Sequence, residues 1–214
     1  MIRLIPISFL FIAVLFCNGC FVSKNFQRNL TTSSKINQNE IEWLSLEEAV
    51  KLSKKKPKKV MIDFYTDWCA PCKKMDQTTF RNPEIIKYIN KHFYAIKFNG
   101  ETKDPIDFKG QTYIYVEEDY TEYHEFARKL LTNKIAYPSF VFLDENFDII
   151  QTLPGYLDAK SFDMVLHYFE GNYHRKMPWG NFTKEYQSPI KEEIGLQNFS
   201  QSIDITDIFV SEQE

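Results

Sequence analysis

Lys59-Val60-Met61-Ile62-Asp63-Phe64-Tyr65-Thr66-Asp67-Trp68-Cys69-Ala70-Pro71-Cys72-Lys73-Lys74-Met75 runs from a β-rich apolar pattern straight into a cysteine pair and the start of a helix. The segment Lys59 to Tyr65 reads as a strand buried on both faces. Asp63 is the oddity inside it, because burying a carboxylate without a partner is costly. Cys69 falls where the following helix begins. Unpaired backbone N–H groups and the positive end of the helix dipole favour a thiolate there, so Cys69 is expected to be the more acidic cysteine. Cys72 lies one helical turn further on, placed to attack a mixed disulfide formed at Cys69. Pro71 fixes the backbone between the two, and Trp68 offers a flat apolar surface beside the nucleophile.

Outward from this stretch the chain reads as alternating helices and strands. Ser45-Leu46-Glu47-Glu48 is a capping pattern that predicts a helix to about Lys55. After the cysteines, a helix is predicted from Lys73 to about Thr79, and Asn82-Pro83-Glu84 opens another with proline in its first turn. His92 to Phe98 reads as a second strand, Glu101 to Gly110 as a polar loop and Gln111 to Val116 as a short strand. Asp119, with Glu122 three residues on, predicts a helix to Leu131. Ser139 to Leu143 and Ile149 to Leu153, split by Asp144-Glu145-Asn146, predict a β-hairpin. Asp158 caps a last helix that Gly171 is expected to close. The order implies an α/β sandwich with a mixed central sheet.

The 214 residues, 43% of them hydrophobic, suffice for one good-sized core. The net charge of -3, with basic and acidic residues interleaved, argues against nucleic acid as a partner. Lys54 to Lys59 reads as a solvated helix end leading into Pro57. Residues 1–19 read as a signal peptide: Arg3 precedes an apolar run from Leu4 to Phe16, shorter than the about 20 residues a membrane span needs. Gly19-Cys20 at its end resembles the bacterial lipoprotein signal, with Cys20 as the lipidated residue and Cys17 where an aliphatic residue is usual. Residues 20–39 are polar and suit a flexible tether. The folded domain is expected over 40–171. Residues 172–214 form a C-terminal extension, partly mobile, in which Tyr173, Trp179, Phe182 and Tyr186 are candidates to pack back on the domain.

Of the four cysteines, two belong to the leader. Cys69 and Cys72 are too close together to staple distant parts of a fold, so their use must be local chemistry. Taken together, the strand, the Trp68-Cys69-Ala70-Pro71-Cys72 motif and the helix after it resemble thioredoxin-like oxidoreductases from about Glu40 to Gly171. The resemblance implies a three-layer sandwich and a dithiol–disulfide cycle at Cys69 and Cys72; the chain departs from it in length, with an enlarged crossover between Asn99 and the cis-proline position at Pro138. Asp63 matches the family's buried acid, which assists proton transfer at the resolving cysteine, and Lys97 matches the lysine often near it. Tyr137-Pro138 matches the cis-proline position that faces the cysteines and pairs with extended substrates, although Tyr137 is larger than the residue usual there. Gly155 matches a family glycine that permits close backbone approach.

With the lipoprotein-like leader, the resemblance implies an exported reductant of protein disulfides, held by a lipid anchor on the periplasmic face of a bacterial membrane. It would work with an electron donor or acceptor that one sequence does not identify. The resemblance calls for no cofactor. A CxxC can also be half of a zinc site, but His92, His124, His167 and His174 are scattered, and no metal is expected. A non-enzymatic binding module or chaperone, and a copper carrier, are the other readings of this fold. The two cysteines speak against the first, and the lack of a Met- or His-rich stretch against the second.

Overall fold

The computed structural model describes residues 39–118, 121–132 and 134–191. The signal peptide, the lipidation site Cys20, most of the tether and the chain beyond Lys191 lie outside the described residues.

The fold opens with β1 (Trp43–Leu44) and α1 (Leu46–Ser53), where Ser45 and Glu48 form the expected capping box. Next come β2 (Lys59–Tyr65), α2 (Ala70–Gln77), α3 (Pro83–His92) and β3 (Phe93–Asn99). A crossover holds β4 (Ile106–Phe108), β5 (Gln111–Tyr113), β6 (Tyr115–Glu118), β7 (Thr121–His124) and α4 (Glu125–Leu130). The chain then forms β8 (Ser139–Leu143), β9 (Ile149–Pro154), α5 (Ala159–Glu170) and α6 (Trp179–Glu185).

Five strands make one mixed sheet in the order β1-β3-β2-β8-β9. β2 runs parallel to β3 and antiparallel to β8, so the strand that leads into the cysteines is central. Its side chains alternate between two cores. Val60, Ile62 and Phe64 face α1 and α4. Met61 faces the helices α2, α3 and α5, and Asp63, two residues on, shares that side. With helices on both faces this is the three-layer thioredoxin-like sandwich that the resemblance implies.

Three local expectations are corrected. The helix after the cysteines begins at Ala70 rather than Lys73, because Cys69 caps it and Pro71 sits in its first turn with φ already set. The predicted strand from Gln111 to Val116 is broken at Ile114, whose N–H donates to Glu125 and whose carbonyl accepts from Glu125 N. The helix expected from Asp119 to Leu131 starts late: α4 covers only Glu125–Leu130, and Thr121–His124 is strand. That stretch pairs with β6 as a hairpin, in the register Tyr115 with His124 and Val116 with Tyr123. Aromatic and β-branched partners across the ribbon outweigh the capping pattern, and α4 is capped by His124 instead. As expected, α5 runs from its Asp158 cap to Glu170 and is closed by Gly171, at φ -72°; the left-handed residue is Asn172, at φ 55°.

The core does not stop at Gly171. Trp179 and Phe182 are 4% and 2% exposed, and both rings stand 5.1 Å from that of Tyr168 on α5. Tyr186 donates its hydroxyl to Asp163 Oδ2 at 2.8 Å. Phe182→Ala should therefore cost about 3–5 kcal/mol of stability, read as a lower midpoint in a denaturant melt. A change under about 1 kcal/mol would show that this segment covers the domain without holding it.

Candidate active site

The site is built where β2 ends at the centre of the sheet. Cys69 N donates to Thr66 O at 3.1 Å, which closes a tight turn through Asp67 and Trp68 and leaves the Trp68 residue 67% exposed. Cys69 and Cys72 are joined by a disulfide with their Cα atoms 5.3 Å apart, and both are buried. The Cys72 N–H points at the Cys69 sulfur across 3.1 Å, so Cys69 Sγ is itself the N-cap of α2. When the pair is reduced, that N–H and the helix dipole meet the Cys69 thiolate. Pro71 lies between the two cysteines in the first turn of α2, half-buried.

Asp63 is 2% exposed, and its Oδ1 has no hydrogen-bond partner among the described residues. Lys97, its register partner on β3, brings Nζ to 3.9 Å from Oδ2. The same ammonium is hydrogen-bonded to Asp76 of α2 and faces the rings of Trp43, Tyr65 and Phe80 at 5.4, 5.1 and 5.7 Å. Burial raises the Asp63 pKa to about 7; Lys97 pulls it down, and Asp76 pushes it further up. A carboxyl in that range exchanges a proton near neutrality. Among the described residues no group of three or more His, Cys, Asp or Glu side chains is arranged to hold a metal ion.

The Tyr137–Pro138 peptide bond is cis, and Pro138 O accepts from Gly155 N at 2.7 Å, with Gly155 at φ 101°. Tyr137 meets Trp68 edge to face, ring centres 6.1 Å apart. The tyrosine hydroxyl lies over Gly100, where a Cβ would fall 1.9 Å from it. Burial, and then the charge of Glu101, push the Tyr137 phenol up to about 12. Trp68 Nε1 donates to Glu101 Oε1 at 2.8 Å. The structure thus joins Cys69 with Cys72, Trp68 with Tyr137, and Asp63 with Lys97. Glu101 is a member that sequence reasoning missed: it sits in a stretch that reads only as a polar loop. A cavity of about 430 Å³, lined by Ile150, Tyr168, Arg175, Met177 and Trp179 among others, includes none of these residues.

A disulfide across the first turn of a helix, at the end of a central strand, fits a thioredoxin-type redox motif. Residues 46–170 match the family of thioredoxin-like domains, and the chain belongs to that family. Among curated proteins it is similar to the thiol:disulfide interchange protein DsbD of Vibrio vulnificus strain CMCP6, 34% identical over 68 residues, which is 32% of this chain and 11% of that protein. Against DsbD of Cronobacter sakazakii it is 25% identical over 118 residues, 54% of this chain and 17% of the relative. The chain thus spans under a fifth of the length of either protein. Of solved structures, a thioredoxin-fold protein from Helicobacter pylori overlays 60% of this chain and 80% of its own, with TM-score 0.47 and 21% identity. The reduced C-terminal domain of Neisseria meningitidis DsbD covers 59% and 96%, with TM-score 0.37 and 21% identity.

The raised pKa of Asp63 has a thermodynamic consequence. The folded state holds the proton more tightly than the unfolded chain, so stability is greatest below about pH 4 and is lost as pH rises through about 7. Asp63→Asn removes that loss. It should stabilise the oxidised protein by about 4 kcal/mol at pH 8 and hardly at all at pH 4, measured by urea unfolding at both pH values. A gain independent of pH would mean that the Asp63 carboxyl is not held protonated by burial.

Proposed function

We propose that this protein is a thiol–disulfide oxidoreductase that reduces protein disulfides in the cell envelope through Cys69 and Cys72. The observation that carries the reading is the Cys69–Cys72 disulfide at the head of α2, with the Cys72 N–H aimed at the Cys69 sulfur. In the reduced protein the Cys69 thiolate attacks a client disulfide. One client sulfur leaves as thiolate and the other stays bonded to Cys69. Cys72 then gives up its proton, for which the Asp63 carboxylate is the acceptor in this reading, and attacks Cys69 Sγ. The client departs with two thiols and the pair closes into the disulfide seen here. Two electrons must then come back from a separate donor, which restores the dithiol. Trp68, Pro71, Tyr137 and Pro138 form the surface on which the client chain lies. Similarity to proteins named thiol:disulfide interchange proteins supports the chemistry and, with the leader read in the sequence, an envelope location.

The reading is tested by titrating the pair against glutathione buffers and by trapping clients on Cys72→Ser. A reductant should have a potential near about -270 mV, and its Cys72→Ser form should accumulate Cys69-linked mixed disulfides. A potential near about -120 mV would make the protein a disulfide donor. A pair that exchanges with neither buffer nor client would leave only a binding module. The lipid anchor is tested by Cys20→Ala, which should move the protein from the membrane fraction to the soluble one. Unchanged membrane retention would assign the attachment elsewhere.

A further inference from the structure

Resting on the oxidoreductase reading, we infer that Glu101 is a specificity-determining residue, one that favours client disulfides with Lys or Arg beside the cysteine and disfavours those flanked by Asp or Glu. Gly100 N donates to Tyr65 O at 2.8 Å and Glu101 N to Asn99 Oδ1 at 3.0 Å, so the backbone of Glu101 is tied to the ends of β2 and β3. From there its carboxylate reaches Trp68, the residue before Cys69, and its charge is felt at the phenol of Tyr137, the residue before Pro138. Glu101 thereby holds one member of the Trp68–Tyr137 aromatic pair next to Cys69 and acts by charge on the other.

The carboxylate holds Trp68 Nε1 with one oxygen, and the nearest lysines along the chain are directed elsewhere. Lys103, two residues on, is turned to Glu117 at 3.9 Å and to the ring of Tyr115. Lys97 is taken by Asp76. A half-buried carboxylate bonded to the exposed Trp68 indole attracts a cation presented by the client. Asp67, exposed beside Trp68, adds to the same field. The indole contact also gives Glu101 a fixed direction, which a solvated surface acid lacks.

The test uses the pre-reduced protein in single turnovers with disulfide-linked dimers of one short peptide, differing only in the residue after cysteine: Arg, Ala or Glu. Each rate is divided by that with dithiothreitol, which removes the effect of the neighbour on the leaving thiol. At low salt the Arg peptide should react about threefold to fivefold faster than the Ala peptide, and the Glu peptide slower by a similar factor. The spread should shrink at about 0.5 M salt. Glu101→Gln keeps an oxygen acceptor for Trp68 Nε1 and removes the charge; it should bring the Arg-to-Glu ratio toward one and weaken its salt dependence, Asp67 leaving a small remainder. Equal rates for the three peptides in the unaltered protein, or a ratio that survives undiminished in Glu101→Gln, would overturn the inference. A protein that reduces none of the three would instead overturn the oxidoreductase reading.

Discussion

The Cys72 N–H, held 3.1 Å from the Cys69 sulfur by the first turn of α2, is the interaction around which the molecule is organised. It requires that α2 start at Ala70, that Pro71 occupy a first-turn position where no N–H is missed, and that β2 deliver the chain to Cys69 at a fixed height above the sheet. The central place of β2, flanked by β3 on one side and β8 on the other, meets the last demand. A strand with neighbours on both edges cannot slip in register without turning Val60, Ile62 and Phe64 out of their core. The rigidity of the sheet is thus what aims one backbone N–H at one sulfur.

Electrostatics under α2 follow from the same placement. Asp63 lies on the face of β2 that looks toward α2, and its burial is tolerable because Lys97 stands across the strand pair. Yet that ammonium is bonded to Asp76 and only near Asp63, so the buried acid receives part of a charge and keeps a high pKa. A full ion pair would have left Asp63 ionised and unable to trade protons near neutrality. The arrangement sits between a neutral core and a buried salt bridge, at a cost in stability that a purely structural position would not carry.

How far the sequence can be read depends on how local the signal is. The buried strand, the cysteine pair, the capping box at Ser45 and the hairpin of β8 and β9 are each written in a few adjacent residues, and the structure has them where those residues place them. The β6–β7 ribbon is hidden because Asp119 and Glu122 imitate a helix cap, while the pairing that overrides them involves Tyr115 and Val116 on another strand. Glu101 leaves no mark at all: its role depends on Trp68, 33 residues earlier in the chain, coming within 2.8 Å. Gly100 is legible only in three dimensions, once the Tyr137 hydroxyl is found where its side chain would be.

The loop that carries Glu101 is anchored at its far side by a histidine whose state the geometry dictates. His124 is fully buried, packed edge-on against Phe98. Its Nδ1 accepts from Phe126 N at 3.1 Å, capping α4, which leaves Nε2 as the donor to Asp104 O, also at 3.1 Å. Its own N–H donates to Gly100 O at 3.2 Å, beside Glu101. Only the neutral ring with its proton on Nε2 satisfies both side-chain partners, and burial lowers the His124 pKa in keeping with that, against the opposing pull of the Asp104 carbonyl and Glu125. Protonating Nδ1 would set two donors face to face at the head of α4. The crossover, and with it the edge of the Trp68 platform, is therefore best ordered when His124 is neutral, and loses support as pH falls through the lowered value. An enlarged crossover need not be passive packing: by one buried imidazole it joins the backbone under Glu101 to the helix behind it.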